Sequence, residues 1–322
     1  MSLDEEITEP TTEKTYDRSH SEEISREIVD KHYSDRRTKR VAAGRLSTVL
    51  FLDPTESSPL ETVRQVLKIG EKDRIKKETL ALSRWRNSGA KVPEIIRESD
   101  INEPIKWFVM EYLQPVDHLS SDEMDNAARS FARNLNLLHK AKTSGYGEIN
   151  DFGLGKYEDQ MTDMLNTLDF FTSEPTILSN HDIDLDFASD LKDLIESSGS
   201  LINTNSSSVL LHGDVSTSNA VVQEGGEVVI IDPNPLAGDP LLDVGQMVVR
   251  MKLNDQYDRV GTLFLETYFG KPLGSLSETE IKKLNLFIKY QAGLEIFRRV
   301  LTQSEPQEIK EALDLYKQPP SF

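Results

Sequence analysis

The pattern of hydrophobic and polar positions changes character once along the chain, near Gln114-Pro115. Before that point, short apolar runs rich in β-branched residues alternate with turn-forming segments. The runs "RVAAG", "STVLFLD" and "ETVRQVLKIG" are separated by pieces such as "DPTESSP", and "PEIIRE" and "KWFVMEYL" follow. They predict the strands of a small, mostly antiparallel sheet. A helical pattern at about 73–87, closed by Gly89, lies among them, and a shorter one spans about 21–33.

After Gln114-Pro115 the apolar period becomes helical. The pattern recurs at about 121–139, 157–170, 185–198, 241–252, 255–268, 277–303 and 306–316. One predicted hairpin, at 219–232, interrupts it. Residues 1–20 are polar and aperiodic, as a mobile tail would be. The expected layout is α+β: a tail at 1–20, a sheet lobe at 21–112 and a larger, mainly helical lobe at 113–322.

Composition narrows the setting. The 322 residues suffice for a sizeable core, and 37% hydrophobic with 29% charged residues is ordinary for a soluble globular protein. No apolar run is long enough to span a bilayer, and the first residues, "MSLDEEITEP", lack the regions of a signal peptide. There are no cysteines, which excludes disulfides and thiolate metal sites, and the six histidines show no metal-ligand spacing. The expectation is a cytoplasmic protein. A net charge of −18 argues against nucleic acid as a partner and favours, weakly, a cationic small ligand.

The densest chemistry lies in "VLLHGDVSTSNAVVQEGGEVVIIDPNP", residues 209–235. Gly225-Gly226 signals a two-residue hairpin turn, which would set Glu224 opposite Glu227 and Asn219 opposite Asp232. Directly opposed residues share a face, so an amide oxygen and a carboxylate would meet at one point. Such a pair suits magnesium, which takes oxygen ligands and keeps room for substrate phosphates. Asp214, five residues before Asn219, is placed to accept the proton of an attacking hydroxyl. Either Asx residue alone would more often bond turn backbone; the ordered set favours chemistry.

Lys68 sits inside the apolar run "VLKIG", and Glu78 lies between Ile75 and Leu82 on the inward stripe of the next helix. A buried lysine and a buried glutamate are each costly alone, and an ion pair aiming the ammonium at nucleotide phosphates explains both.

These segments resemble the aminoglycoside phosphotransferases and related small-molecule kinases. "HGDVSTSN" is similar to that family's His-x-Asp-x4-Asn catalytic loop, and "IIDPNPLAGDPLLDVG" to its metal-binding segment. The Ile-Asp-Pro variant and "ETLALSRWRNSGAKVPEII" look most like the streptomycin 6-phosphotransferase and hydroxyurea phosphotransferase branch. "FVMEYLQP" resembles a kinase hinge, and "LNLLHK" the family's helix ending in Leu-His. The resemblance covers roughly residues 40–250 and implies a two-lobed, protein-kinase-like fold using ATP and Mg2+.

By the same resemblance, Asp214 would be the catalytic base, with Asn219 and Asp232 on magnesium. Lys68 would contact the α- and β-phosphates with Glu78 holding it. Met110 would lie behind the adenine, and the backbone of Glu111 and Leu113 would bond the base edge. His212 would brace the catalytic loop and Asp243 would pin it, while Asp239-Pro240 reads as a helix start. Two departures stand out. Only Gly44, in "AGRLST", is available to a phosphate-covering loop, and Val215-Ser-Thr-Ser218 replaces a Leu-His-Pro-Gly type of sequence.

A second kinase-like tripeptide, Asp151-Phe152-Gly153, precedes the catalytic loop by about sixty residues. A kinase metal aspartate must follow that loop, so residues 145–156 are expected to form an ordered loop bordering the acceptor pocket. The favoured acceptor is an aminoglycoside-like antibiotic, captured partly by the acids Glu148, Asp151, Glu158, Asp159 and Asp163. Its rivals are a metabolic kinase for a sugar amine, amino alcohol or amino acid, a pseudokinase, and remotely a metal-dependent hydrolase.

Overall fold

The computed structural model describes residues 21–43, 47–55, 63–100, 103, 105–173, 186–202 and 207–319. The expectations for the tail at 1–20 and for Gly44 fall outside them. The chain divides into two compact units, one of residues up to Lys76 with Glu94–Tyr112, the other of Lys77–Pro93 with Leu113 onward.

The first unit holds helix α1 (Ser21–His32) and strands β1 (Arg37–Ala43), β2 (Ser47–Asp53), β3 (Gln65–Gly70), β4 (Ile95–Glu98) and β5 (Lys106–Glu111). They form one sheet in the order β1-β2-β3-β5-β4, with every neighbouring pair antiparallel. Leu50 and Leu52, Leu67 and Ile69, Trp107 and Val109 recur at spacing two and gather with Ile28 and Tyr33 into one core. That alternation is what the apolar runs encode. Lys68 falls on the opposite face, paired in register with Val49 and Phe108.

Helix α2 (Lys72–Asn87) belongs mostly to the second unit. There Trp85 is fully buried and donates from Nε1 to the carbonyl of Leu210 at 3.2 Å. Helix α3 (Ser121–Leu138) opens with a reciprocal cap between Ser120 and Glu123. Helices α4 (Gln160–Thr172), α5 (Asp186–Ser197), α6 (Gly199–Ile202), α7 (Leu241–Leu253), α8 (Thr262–Phe269), α9 (Glu278–Leu301) and α10 (Pro306–Lys317) follow. Leu191, Ile195, Phe287, Leu294 and Phe297 lie together in one core of this unit.

Two features depart from the sequence reading. Residues 145–156, expected as an ordered loop, contain strands instead: β6 (Tyr146–Ile149) and β7 (Gly155–Tyr157) lie there. With β8 (Val209–Leu211) and β11 (Leu236–Gly238) they make a second sheet, ordered β7-β6-β11-β8. These strands are three or four residues long, too short to show alternation. The predicted hairpin forms from β9 (Ala220–Val222) and β10 (Val228–Ile230), but its register differs by one residue.

Candidate active site

Between β8 and β9 the backbone of residues 212–215 is tied down from several directions. Gly213 has φ +73, and a Cβ there would stand 2.0 Å from the carbonyl oxygen of Asn234, so the turn requires glycine. His212 is fully buried and stacks on Trp85 at 6.0 Å, with ring planes 12° apart. Its Nε2 lies 2.9 Å from the carbonyl of Ile231, and the Asp214 N–H donates to its Nδ1 at 3.3 Å. Those partners place the ring proton on Nε2. Burial lowers the basicity of the imidazole against the raising influence of Asp243, so His212 is a neutral brace.

Asp243, in the first turn of α7, supplies the main anchor. Its carboxylate accepts the N–H groups of His212 and Gly213 at 2.7 and 3.0 Å. It also bonds His139 Nε2 at 3.0 Å, and Nδ1 of that ring meets the Tyr268 hydroxyl at 2.8 Å. Burial would push this carboxyl up, but the His139 hydrogen bond, the electrostatic influence of the two neighbouring imidazoles and the Gly213 N–H outweigh it and leave it below the usual range. Gln246, one turn along α7, accepts the Val215 N–H at 2.6 Å. Asp239, one residue before the Pro240 N-cap of α7, accepts the N–H of Leu241 at 2.9 Å and pairs with Lys283 at 2.6 Å. Trp85, His139, Gln246 and Tyr268 carry no local motif for this role; their partners are distant in sequence.

Asp214 itself keeps 47% of its side chain open to solvent. Asn219 donates from Nδ2 to both the carbonyl and the Oδ2 of Asp214, at 2.8 and 3.0 Å. The expectation that Asn219 faces Asp232 directly is corrected. Ala220 pairs with Ile230, and the Ile231 N–H donates to the Asn219 carbonyl at 2.9 Å. The turn takes three residues, Glu224–Gly226, with Gly225 and Gly226 both at positive φ. The extra residue moves Asp232 one position past the pairing with Asn219. A one-residue slip alone would turn the two side chains to opposite faces. Asp232, however, lies beyond the end of β10 and has φ +53, a left-handed conformation that breaks the alternation.

In the first unit, Lys68 is 2% exposed on central strand β3, while Met110 and Glu111 end β5 half-buried. The Glu111 N–H already donates to the Glu94 carbonyl at 3.0 Å. Leu113 opens the next segment, half-buried, and Glu78 on α2 is 1% exposed.

The second unit also contains a cavity of about 420 Å³, lined by Gly213, Asp243 and Gln246 beside the catalytic loop and by side chains of β7, α4 and α9. Of the five acids expected at its rim, Glu148 and Asp163 line it. Asp159 caps α4 by accepting the Thr162 N–H at 2.9 Å, and Asp151 and Glu158 are exposed outside the cavity. The Asp151-Phe152-Gly153 tripeptide is the β6–β7 turn, where Asn150 Oδ1 accepts the Phe152 N–H at 2.9 Å.

Burial raises the Asp163 carboxyl to about 6, against a lowering hydrogen bond from Gln160. The folded chain therefore holds a proton there that the unfolded chain releases, so stability falls as pH rises from the ordinary aspartate value of 3.8 to about 6. Above that window the penalty is complete and amounts to no more than about 3 kcal/mol. Asp163→Asn is expected to raise the urea midpoint at pH 7.5 and to leave it nearly unchanged at pH 4. An equal change at both pH values would contradict this account.

The donor set of Asn219 and Asp232 fits a hard cation. With the Asn219 amide nitrogen held by Asp214, its Oδ1 is the remaining ligand atom, and Asp232 adds a carboxylate. Among the described residues no three His, Cys, Asp or Glu side chains gather as a metal cluster, so phosphate and water oxygens would complete the shell. No described helix is long and apolar enough to cross a membrane.

No curated protein matches the chain in sequence. In structure it is similar to a thermostable mutant of aminoglycoside phosphotransferase APH(4)-Ia, solved in ternary complex with ADP and hygromycin B. The two share 13% identity and a TM-score of 0.66, over 93% of this chain and 99% of the other. An ethanolamine kinase of Plasmodium vivax matches at 15% identity and TM-score 0.59, over 93% of this chain and 86% of its own. The fold is that of the protein-kinase-like small-molecule kinases. In sequence, residues 19–260 match the fructosamine kinase family. The chain thus belongs to the fructosamine kinase family and is a phosphotransferase acting on hydroxyl acceptors.

Proposed function

We propose that this protein transfers the γ-phosphoryl group of ATP, with magnesium, to a hydroxyl of a small sugar-amine-like molecule. The observation that carries the chemistry is the half-exposed Asp214 on a backbone fixed by Asp243, with Asn219 bonded to its carboxylate. Asp214 orients the acceptor hydroxyl and takes its proton as the acceptor oxygen bonds to the γ-phosphorus. The bond from that phosphorus to the β–γ bridging oxygen breaks, and ADP leaves with the electron pair. Magnesium, when bound, neutralises phosphate charge, and Asn219 and Asp232 would hold it. Lys68, with Glu78 as its support, would bind the α- and β-phosphates, and Met110, Glu111 and Leu113 would receive the base. His212 transfers no proton here.

Family membership favours the sugar-amine acceptor. The aminoglycoside reading rests on the fold shared with a kinase solved with hygromycin B. ADP release measured with sugar amines, amino alcohols and aminoglycosides in parallel separates the two, and no ADP with any of them would sink the kinase reading.

Lys68→Ala is expected to weaken ATP binding and turnover together, by about 10- to 100-fold for a lost charge-assisted contact. Glu78→Ala should reproduce part of this, and the double variant should lose less than the sum. Additive losses would show that the two residues act independently.

A further inference from the structure

Glu295 on α9 is a buried carboxylate that meets three guanidinium groups. Arg250 Nη2 lies 3.5 Å from it, Arg298 Nη1 3.3 Å and Arg299 Nε 3.2 Å. Arg299 also donates to the Glu308 carbonyl at 2.8 Å and so ties α9 to α10. Arg250 Nη2 lies 4.0 Å from Asp214 Oδ1, and its buried Nε has no hydrogen-bond partner. Three guanidinium groups thus gather around the one carboxylate of Glu295, and one of them also faces Asp214.

Arg298 belongs to the cavity wall. Gln291, Leu294 and Arg298, at spacings of three and four along α9, line it together. Among the described residues, the bond to Glu295 is the only hydrogen bond the Arg298 guanidinium makes. Gln291 is 7% exposed, yet its buried Oε1 has no partner. An unsatisfied buried amide oxygen is costly, and Arg298, with 32% of its side chain exposed, keeps donors open to the cavity; a ligand offering a donor and an anion would engage both. Each acid of the cavity has partners of its own. Glu148 is paired with Lys77 at 2.6 Å, Asp163 accepts a hydrogen bond from Gln160 at 2.9 Å, and Asp243 accepts the His212 and Gly213 N–H groups, while Lys156 adds a further cation to the lining.

We propose that the acceptor carries a carboxylate bound by Arg298 and a hydroxyl or ammonium group bonded by Gln291. The planar guanidinium fork matches a carboxylate, and Glu295 keeps that fork in place. Arg298 is then a specificity-determining residue that selects anionic or zwitterionic hydroxylated acceptors over polycations. The inference rests on reading the cavity as the acceptor site. It is independent of the family match, which ends at residue 260, before α9 begins.

The test uses a matched pair of probes, fructosyl-glycine and its uncharged fructosyl-glycinamide counterpart, with the full-length protein. Binding is measured by calorimetry, and ADP release is recorded separately. The wild type is expected to bind the carboxylate probe about 10- to 100-fold more tightly, as one charged hydrogen-bonded contact would give. Arg298→Ala should erase that preference, and Arg298→Lys should restore part of it. Equal affinity for the two probes in the wild type, no binding of either, or a variant that keeps the preference would overturn the proposal. A preference observed without ADP release would leave the anion site standing and count against phosphoryl transfer.

Discussion

Asp214→Asn is expected to lower kcat by about 100- to 10,000-fold, the usual worth of a positioned general base. ATP affinity should change little. The substitution is close to isosteric, and the oxygen of the new amide can still accept the Asn219 Nδ2 hydrogen bond now made at 3.0 Å. The loop around it is fixed by groups the substitution does not touch, namely the Asp243 and Gln246 contacts to the backbone of residues 212–215. What disappears is the carboxylate proposed to receive the acceptor proton. Steady-state ADP release, with nucleotide binding measured in parallel, reads the two effects separately. A variant retaining kcat within about threefold would remove Asp214 from the chemistry, since even a weak general base contributes about 100-fold.

The parts of this molecule that were legible in the sequence are those with local signals. Helices α3, α7 and α9 span several turns, so their apolar stripes repeat often enough to be read. Strands β1, β2, β3 and β5 of the first unit, six or seven residues each, are read for the same reason. The catalytic-loop residues His212, Asp214 and Asn219 lie within eight positions, and their order carried the resemblance. The hairpin shows where local reasoning stops. Both glycines adopt the positive φ that was expected, yet Glu224 joins the turn and shifts the register by one. Nothing in "QEGGE" distinguishes a two-residue from a three-residue loop.

Long-range partners left no trace at all. Trp85 stacks on His212 across 127 positions, and Gln246 reaches Val215 across 31, so neither could be assigned from spacing. The acids of 148–163 have partners that the sequence does not display: Asp159 caps a helix and Glu148 pairs with Lys77. Gln291 and Arg298, which line the cavity, and Glu295, which bonds Arg298, lie on a helix whose pattern read only as core.

The second large effect is expected at the metal. Asp232 has φ +53, a conformation that asparagine adopts at small cost and alanine does not, so Asp232→Asn is the cleaner substitution. It removes the charge opposite the cation while keeping the backbone. At nucleotide about a hundredfold above its Kd, the wild type should gain on the order of 2–3 kcal/mol of stability from binding. Magnesium should supply much of that gain, because Asn219 and Asp232 would hold a hard cation that neutralises nucleotide phosphate charge. In Asp232→Asn the magnesium-dependent part of the shift should be lost and turnover should fall with it, while the melting temperature without nucleotide stays near that of the wild type. Asp151→Asn is the control, since Asp151 lies in the exposed β6–β7 turn and outside the catalytic loop. Thermal unfolding with ATP, with and without magnesium, decides between them. A magnesium response that survives Asp232→Asn but disappears in Asp151→Asn would place the metal at the Asp-Phe-Gly turn and undo the assignment of Asn219 and Asp232.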